Sequence, residues 1–111
     1  MNLQLLESTG VRIVAGTDAG NIGTLHGPAI HREFELLAAA GMRPADILVA
    51  ATKNGAAVMG KDADLGTLQK GKYADLVILD ADPLRDIRNA RRISKVIRNG
   101  VILDISTNAL K

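Results

Sequence analysis

The spacing of the apolar residues changes at Lys61, and this change limits the possible folds more than any other feature of the chain. Before it, apolar residues recur at helical spacing. They include Ile30, Phe34, Leu37 and Ala38. After it, apolar residues fall in short runs broken by Gly, Pro and Asp, which is typical of strands. The sequence therefore predicts an α/β protein with one part in residues 1–60 and a second in residues 61–111.

Three helical segments are predicted in the first part. An amphipathic helix begins at Ile30 and ends before Gly41. Pro44 then occupies a position that a first helical turn tolerates, which predicts a second, short helix. Thr52 and Asn54 are both plausible caps for a further turn or two. Met42 and Met59 close helical segments and are interpreted as core residues.

The second part is expected to be mostly strands. The candidate runs are residues 65–68, 76–79, 93–97 and 101–103. The last two flank Asn99-Gly100, a dipeptide that tolerates the positive φ angles of a two-residue type I′ turn. A hairpin is therefore predicted here.

Composition and charge exclude several classes of protein. The chain has 111 residues, no cysteine and no apolar run near the roughly 20 residues of a membrane helix, so we expect a cytoplasmic protein without disulfides or a membrane partner. The net charge is +2, with the basic excess in the second part. Aspartates lie among these basic residues, and two aromatic residues offer little stacking surface. A partly paired surface is favoured over a nucleic-acid site.

Asp18 is the best candidate for chemistry. The β-branched residues 11–15 predict a strand that stops at a glycine-rich loop, residues 16–23. An acidic residue just past a strand is presented to a cleft rather than to a core. The competing interpretation, of equal weight on local pattern, is an aspartate that caps a turn.

The two histidines do not form a paired metal motif, because His26 and His31 are five residues apart with Gly27 and Pro28 between them. His26 follows Asp18 in a loop that should border a site, so it is a candidate for substrate contact, with a plain surface role as the alternative. His31 is interpreted as structural. The loop glycines match no nucleotide-binding pattern.

A series of motifs in order resembles the C-terminal portion of metal-dependent amidohydrolases. The motifs are Val-Ala-Gly-Thr-Asp-Ala-Gly at 14–20, His-Arg-Glu-Phe-Glu-Leu-Leu at 31–37, Gly-Met-Arg-Pro-Ala-Asp-Ile-Leu at 41–48, Ala-Thr-Lys-Asn-Gly-Ala-Ala at 51–57, Asp-Leu-Gly-Thr-Leu at 64–68, Gly-Lys-Tyr-Ala-Asp-Leu-Val-Ile-Leu-Asp at 71–80, Asp-Pro-Leu at 82–84 and Val-Ile-Arg-Asn-Gly at 96–100. The resemblance implies that residues 11–15 are the eighth strand of a (β/α)₈ barrel, that residues 30–40 are its helix, and that residues 65–104 are the C-terminal strands of a small β-sandwich. The family's His-x-His of the first strand, its lysine or glutamate that often bridges two metals, and its later-strand histidines are not present in this sequence.

The resemblance also implies a function, the hydrolysis of carbon-nitrogen bonds in small amides, cyclic amides or dipeptides with one or two divalent metal ions of the zinc type. It assigns to Asp18 both metal contact and proton transfer, since an aspartate beside a metal-bound water can accept its proton. The loop at residues 20–27 is most similar to the imidazolonepropionase-like and Xaa-Pro dipeptidase-like branch. One carboxylate does not make a complete site, so we expect this chain alone to be inactive and not to retain its metal.

Two alternatives remain open at this stage. The chain could be a truncated, non-catalytic product that self-associates, or a small basic binding module, which is the less favoured. Unpaired strand edges and an uncovered helix face also predict a homo-oligomer, most plausibly a two-fold dimer.

Overall fold

A computed structural model of the chain describes residues 3–22 and 24–105. Four α-helices precede a three-stranded sheet, and a 3₁₀-helix lies between its first two strands. In chain order the elements are α1 Leu3–Ser8, α2 Pro28–Ala39, α3 Pro44–Ala51, α4 Lys53–Val58, β1 Leu76–Leu79, the 3₁₀-helix Ile87–Arg91, β2 Ile93–Arg98 and β3 Val101–Leu103. The α/β class is confirmed. None of the helices in the described part has the length and apolar character needed to cross a bilayer.

The helices α2, α3 and α4 form where the sequence predicts helices. α2 begins at Pro28, two residues before the predicted start, because proline suits a first helical turn. Thr52 occupies the N-cap position of α4, but its hydroxyl donates to the Leu48 carbonyl at 2.6 Å and does not cap the helix. The short helix α1 and the 3₁₀-helix are additions to the predicted elements.

The sheet is antiparallel in the order β1-β2-β3. β2 and β3 form the predicted hairpin, with Asn99 at φ 48° and Gly100 at φ 79°, both in the left-handed region that a type I′ turn requires. The prediction of a strand at residues 65–68 is wrong. Gly66, at φ 86°, turns the chain there, so the segment cannot remain extended.

The hydrophobic core joins the helices to the 3₁₀-helix. Its buried members are Phe34, Met42, Ile47, Ala50, Ile87 and Ala90. Ile47 is completely buried. Arg91 of the 3₁₀-helix forms an ion pair with Glu35 of α2. Met42 belongs to this core as predicted, but the core role of Met59 is wrong, since its side chain is 66% exposed at the end of α4.

Residues 11–15, predicted as a strand, form none in this structure, since the segment has no strand partner in the described part of the chain. Its burial nevertheless alternates, with Ile13, Ala15 and Thr17 half-buried and the intervening residues exposed, as in an extended chain with one covered face. A strand needs a hydrogen-bonded neighbour, and α3 and α4 cover this segment instead.

Candidate active-site loop

The segment that leads to Asp18 is fixed to the helices by two hydrogen bonds. The Ala15 amide donates to the Ala50 carbonyl at 3.2 Å, and the Asn54 side-chain amide donates to the Ile13 carbonyl at 2.8 Å. Ile13 and Ala15 also pack against the core. The chain is therefore anchored three residues before Asp18, and Asp18 itself is exposed.

The backbone turns sharply at Asp18, where φ is 47°, a left-handed value that aspartate tolerates better than most residues. The Asn21 side-chain amide donates to the Asp18 carboxylate at 2.7 Å and to the Asp18 carbonyl at 3.2 Å. The Thr24 hydroxyl lies 3.4 Å from that carbonyl oxygen and 3.1 Å from the Asn21 carbonyl oxygen, and it can donate its single proton to either. The two residues hold the aspartate in place from the loop that follows it.

The loop closes on itself through its backbone. The Gly20 amide donates to the Thr24 carbonyl and the Thr24 amide to the Asn21 carbonyl, each at 3.0 Å. Asn21 and Thr24 were missed by the sequence reasoning. The three-residue spacing between Asp18 and Asn21 was the available signal, because an amide side chain can donate a hydrogen bond to an aspartate three residues earlier in a turn.

His26 lies against this loop. A Cβ placed on Gly20 would be 3.4 Å from His26 Nε2 and 3.6 Å from its Cε1, so the imidazole packs on the bare glycine backbone. Gly20 has φ 110°, a conformation that L side chains rarely adopt. The structure thus brings exposed His26 against Gly20, two residues beyond Asp18.

His31 lies elsewhere, in α2 against the edge of Phe34, with ring centroids 6.2 Å apart. Its Nδ1 is buried and lacks a hydrogen-bond partner in the described structure. Burial lowers the pKa of His31, as does the nearby Arg91 charge, whereas the Glu35 carboxylate acts in the opposite direction. These surroundings fit a packed helix residue rather than a member of the Asp18 loop.

The described residues do not fit a complete metal site. Within residues 3–22 and 24–105, no three His, Asp or Glu side chains lie close enough together to hold an ion. A catalytic zinc site takes three protein ligands and an open position. Asp18 can supply one carboxylate ligand and no more.

Several basic residues of the second part are paired with carboxylates. Arg88 contacts Asp86 at 2.7 Å, Arg91 contacts Glu35 at 2.7 Å, and Arg85 lies 3.8 Å from Asp82. Arg88 lowers the pKa of Asp86 through side-chain and backbone hydrogen bonds. Three arginines of the second part are thus paired with carboxylates.

Comparison with known proteins gives consistent results. The sequence profile of the amidohydrolase family matches residues 2–103. An imidazolonepropionase of Alkaliphilus metalliredigens is 35% identical over 65 residues, which are 56% of this chain and 15% of that protein.

Two solved structures superpose on most of the chain. One is a Bifidobacterium longum protein assigned as a prolidase, with a TM-score of 0.81 and 41% identity over 89% of this chain. The other is a Xaa-Pro dipeptidase with methionine bound in its active site, with a TM-score of 0.81 and 28% identity over 91% of this chain. The match covers 24% of each of those two chains.

Proposed function

The chain belongs to the amidohydrolase family, and from this premise we propose that it supplies the C-terminal part of a hydrolase acting on carbon-nitrogen bonds. The observation that carries the proposal is the Asp18 loop. An exposed carboxylate stands at the end of an anchored segment, and Asn21 fixes its orientation.

Asp18 is the proton carrier in this proposal. The Asn21 amide occupies one carboxylate oxygen, Oδ2, which leaves Oδ1 to accept a proton from an attacking water and to pass it to the leaving nitrogen. General acid-base catalysis of this type contributes about 10² to 10⁴-fold. The anchored backbone keeps the carboxylate in a fixed position between the two transfers.

Asp18 would also be one ligand of a divalent metal ion of the zinc type, which polarises the bond under attack when bound. The remaining ligands would come from polypeptide other than the described residues. The comparisons support this arrangement through coverage, because the chain matches only about a quarter of the solved relatives.

The same comparisons support a position within a larger fold. Residues 11–15 would be the eighth strand of a (β/α)₈ barrel and α2 its helix, which places the end of the barrel in residues 1–60. Residues 61–111 would contribute the C-terminal strands of a small β-sandwich. The alternating burial of residues 13–17 supports the first assignment, since one face is already covered by helices.

The proposed substrates are small amides, cyclic amides or dipeptides. The support is the nature of the relatives, an imidazolonepropionase and a Xaa-Pro dipeptidase. His26 would contact the substrate. Its exposed imidazole packs on Gly20 and therefore stands at the rim of the Asp18 loop.

A chimera tests the proposal. Residues 2–103 of this chain replace the matching quarter of the Xaa-Pro dipeptidase, and hydrolysis of a Xaa-Pro dipeptide is measured with added zinc. We expect activity in the chimera and a loss of about 10²-fold or more in its Asp18→Asn form. His26→Ala should raise KM more than it lowers kcat.

Asp62→Asn is the matched control, because Asp62 is also an exposed loop aspartate. This variant should retain the activity of the chimera. Asp18→Asn activity equal to that of the Asp62→Asn control would contradict the assignment of Asp18.

A further inference from the structure

Asn54 joins α4 to residues 11–17, the segment that leads to Asp18. It is the second residue of this six-residue helix, although asparagine is a poor helix former. Its half-buried side chain donates from the amide to the Ile13 carbonyl at 2.8 Å, across 41 residues of sequence. Leucine, a better helix former of similar size, has no side-chain N–H with which to make this contact. The contact therefore gives a physical reason for an asparagine at this position.

This contact is compatible with a longer polypeptide around the chain. A carbonyl oxygen has two lone pairs, so Ile13 can accept from Asn54 and also from a neighbouring strand of a barrel. The two solved relatives superpose on 89% and 91% of this chain with a TM-score of 0.81, although the match is only 24% of each of their chains. That agreement supports the same placement of α4 beside the segment within longer proteins.

The position of α4, and with it that of Asn54, is set by residues that follow the helix. Ala56 is buried, and the Lys61 amide donates to its carbonyl at 2.8 Å. Gly66 lies so close to α4 that a Cβ there would be 2.6 Å from the Ala56 Cβ. The helix thus has no room to move toward Gly66, and Asn54 reaches Ile13 from a packed support.

A second hydrogen bond acts together with the first. The Ala15 amide donates to the Ala50 carbonyl of α3 at 3.2 Å. In an extended chain, backbone groups two residues apart point to the same edge, so the two bonds hold one edge of the segment at two points. Two points fix its direction, whereas one bond would leave the segment free to pivot.

A pivot at Ala15 would be felt at Asp18. At about 3.3 Å per residue, Asp18 lies up to about 10 Å beyond Ala15, so a tilt of about 6° moves it by about 1 Å. A displacement of about 1 Å in a reacting group can cost about 10²-fold in rate. The bond from Asn54 is the one that prevents this tilt.

We propose that Asn54 is a positioning residue for Asp18. Asn21 orients the carboxylate within its own loop, whereas Asn54 fixes the direction of the segment that carries the loop. The effect on catalysis rests on the proposed function of Asp18. The anchoring of the segment does not, so the two are tested by separate measurements.

Amide hydrogen exchange on the unmodified chain and its variants tests the anchoring. Asn54→Asp keeps the shape of the side chain but replaces the donor with a carboxylate, which repels the Ile13 carbonyl. The Ala15 amide should then exchange at least about tenfold faster, because its bond opens without the support of the first. The Met42 amide, bonded to the Leu37 carbonyl in the core, should keep its rate. Equal acceleration of both amides, or none at Ala15, overturns the proposal.

Asn89→Asp is the matched control. Asn89 is also half-buried, and its side-chain amide donates to the Asp82 carbonyl, likewise at 2.8 Å. The variant removes the same kind of bond from the second part of the chain, so exchange at Ala15 should not change. An acceleration as large as that in Asn54→Asp overturns the proposal. If Asn54→Asp fails to fold, Asn54→Ala replaces it, since alanine favours the helix and repels nothing.

The chimera with the Xaa-Pro dipeptidase tests the effect on catalysis. Asn54→Asp should lower kcat by about tenfold or more and leave KM within about twofold, because it displaces a carboxylate without touching the substrate. Asn54→Gln keeps an amide donor and should recover part of kcat, and Asn89→Asp should retain it. Faster exchange at Ala15 with an unchanged kcat overturns the positioning role. A chimera that is inactive before any substitution contradicts the proposed function, and exchange at Ala15 still decides whether Asn54 anchors the segment.

Discussion

Arg91 donates two hydrogen bonds to a single carboxylate oxygen of Glu35, with Nη2 at 2.7 Å and Nε at 3.1 Å from Oε1. The other oxygen of Glu35 accepts from Arg32 at 3.3 Å. The pair connects α2 to the 3₁₀-helix across 56 residues of sequence. Phe34 of α2 and Ile87 of the 3₁₀-helix belong to the same buried core, so the ion pair links two elements that also share this core.

Glu35→Gln should make the chain less sensitive to acid. The Arg91 hydrogen bonds are the largest cause of a lowered Glu35 pKa, with Arg32 contributing further. A carboxylate with a lowered pKa stabilises the fold above its ordinary value of 4.5, and this stabilisation is lost as the pH falls through the folded pKa. Urea unfolding midpoints from neutral to acid pH should therefore fall less steeply in Glu35→Gln. Glu33→Gln, on the same helix, is the control and should behave as the unmodified chain does.

His31→Leu should remove a different part of the pH dependence. The pKa of His31 lies below 6.5, first because of burial and then because of Arg91, so the unfolded chain binds the proton more readily. Stability should decline as the pH falls below 6.5, and His31→Leu should flatten this decline. Urea unfolding from about pH 8 to about pH 5 measures the effect. An unchanged slope in His31→Leu would contradict the prediction.

Gly66→Ala should destabilise the fold strongly. A Cβ at this position would lie 2.6 Å from the Ala56 Cβ and 3.0 Å from the Thr52 carbonyl oxygen, and φ is 86°. Gly71→Ala is the matched control, because its φ of 93° carries a similar backbone cost while no atom lies within 4 Å. The backbone term is about 1–2 kcal/mol in both variants, so any larger loss in Gly66→Ala measures the clash with α4. Thermal unfolding of the two variants measures the difference in stability. Equal losses of stability would show that α4 shifts to accommodate the added methyl group.

Ile47→Ala should cost about 2–5 kcal/mol of unfolding free energy, because Ile47 is fully buried between helices and its removal leaves a cavity. Val58→Ala removes apolar atoms from an exposed position and should cost much less. Chemical unfolding monitored by helical circular dichroism compares the two. Similar losses would mean that the core is not centred on Ile47.

The isolated chain should not hydrolyse Xaa-Pro dipeptides, even with zinc. One carboxylate cannot replace three metal ligands, and the described residues bring no such group together. Metal analysis after gel filtration should find well under one ion per chain. Metal-dependent turnover that is abolished in Asp18→Ala would instead reveal a complete site.

The sequence predicted α2 and the β2-β3 hairpin correctly, because short stretches of sequence determine both. The apolar repeat of Ile30, Phe34 and Leu37 defined α2, and Asn99-Gly100 defined the hairpin. The segment 11–15 failed as a strand because pairing depends on a neighbour, which no local pattern supplies. The 3₁₀-helix was also missed, although Asp86, whose carboxylate accepts from the Arg88 amide, marks its start.

In the candidate site, too, the sequence predicted some features and not others. Asp18 could be selected from the glycine-rich loop around it, and the resemblance to amidohydrolases added its chemical role. The contacts that orient it required coordinates, because Asn21 could have pointed to solvent. The position of His26 over Gly20 likewise depends on how the loop folds back, which the spacing of the two residues does not determine.

The order of the core residues along the chain has a consequence for synthesis on the ribosome. Phe34, Met42, Ile47 and Ala50 emerge well before Ile87 and Ala90, the residues that complete their packing. Translation proceeds at about 5–20 residues per second, so these residues lack this part of their packing for seconds. During that interval the nascent chain is a target for chaperones and for other nascent chains, and a pause in translation before residue 87 would prolong the exposure.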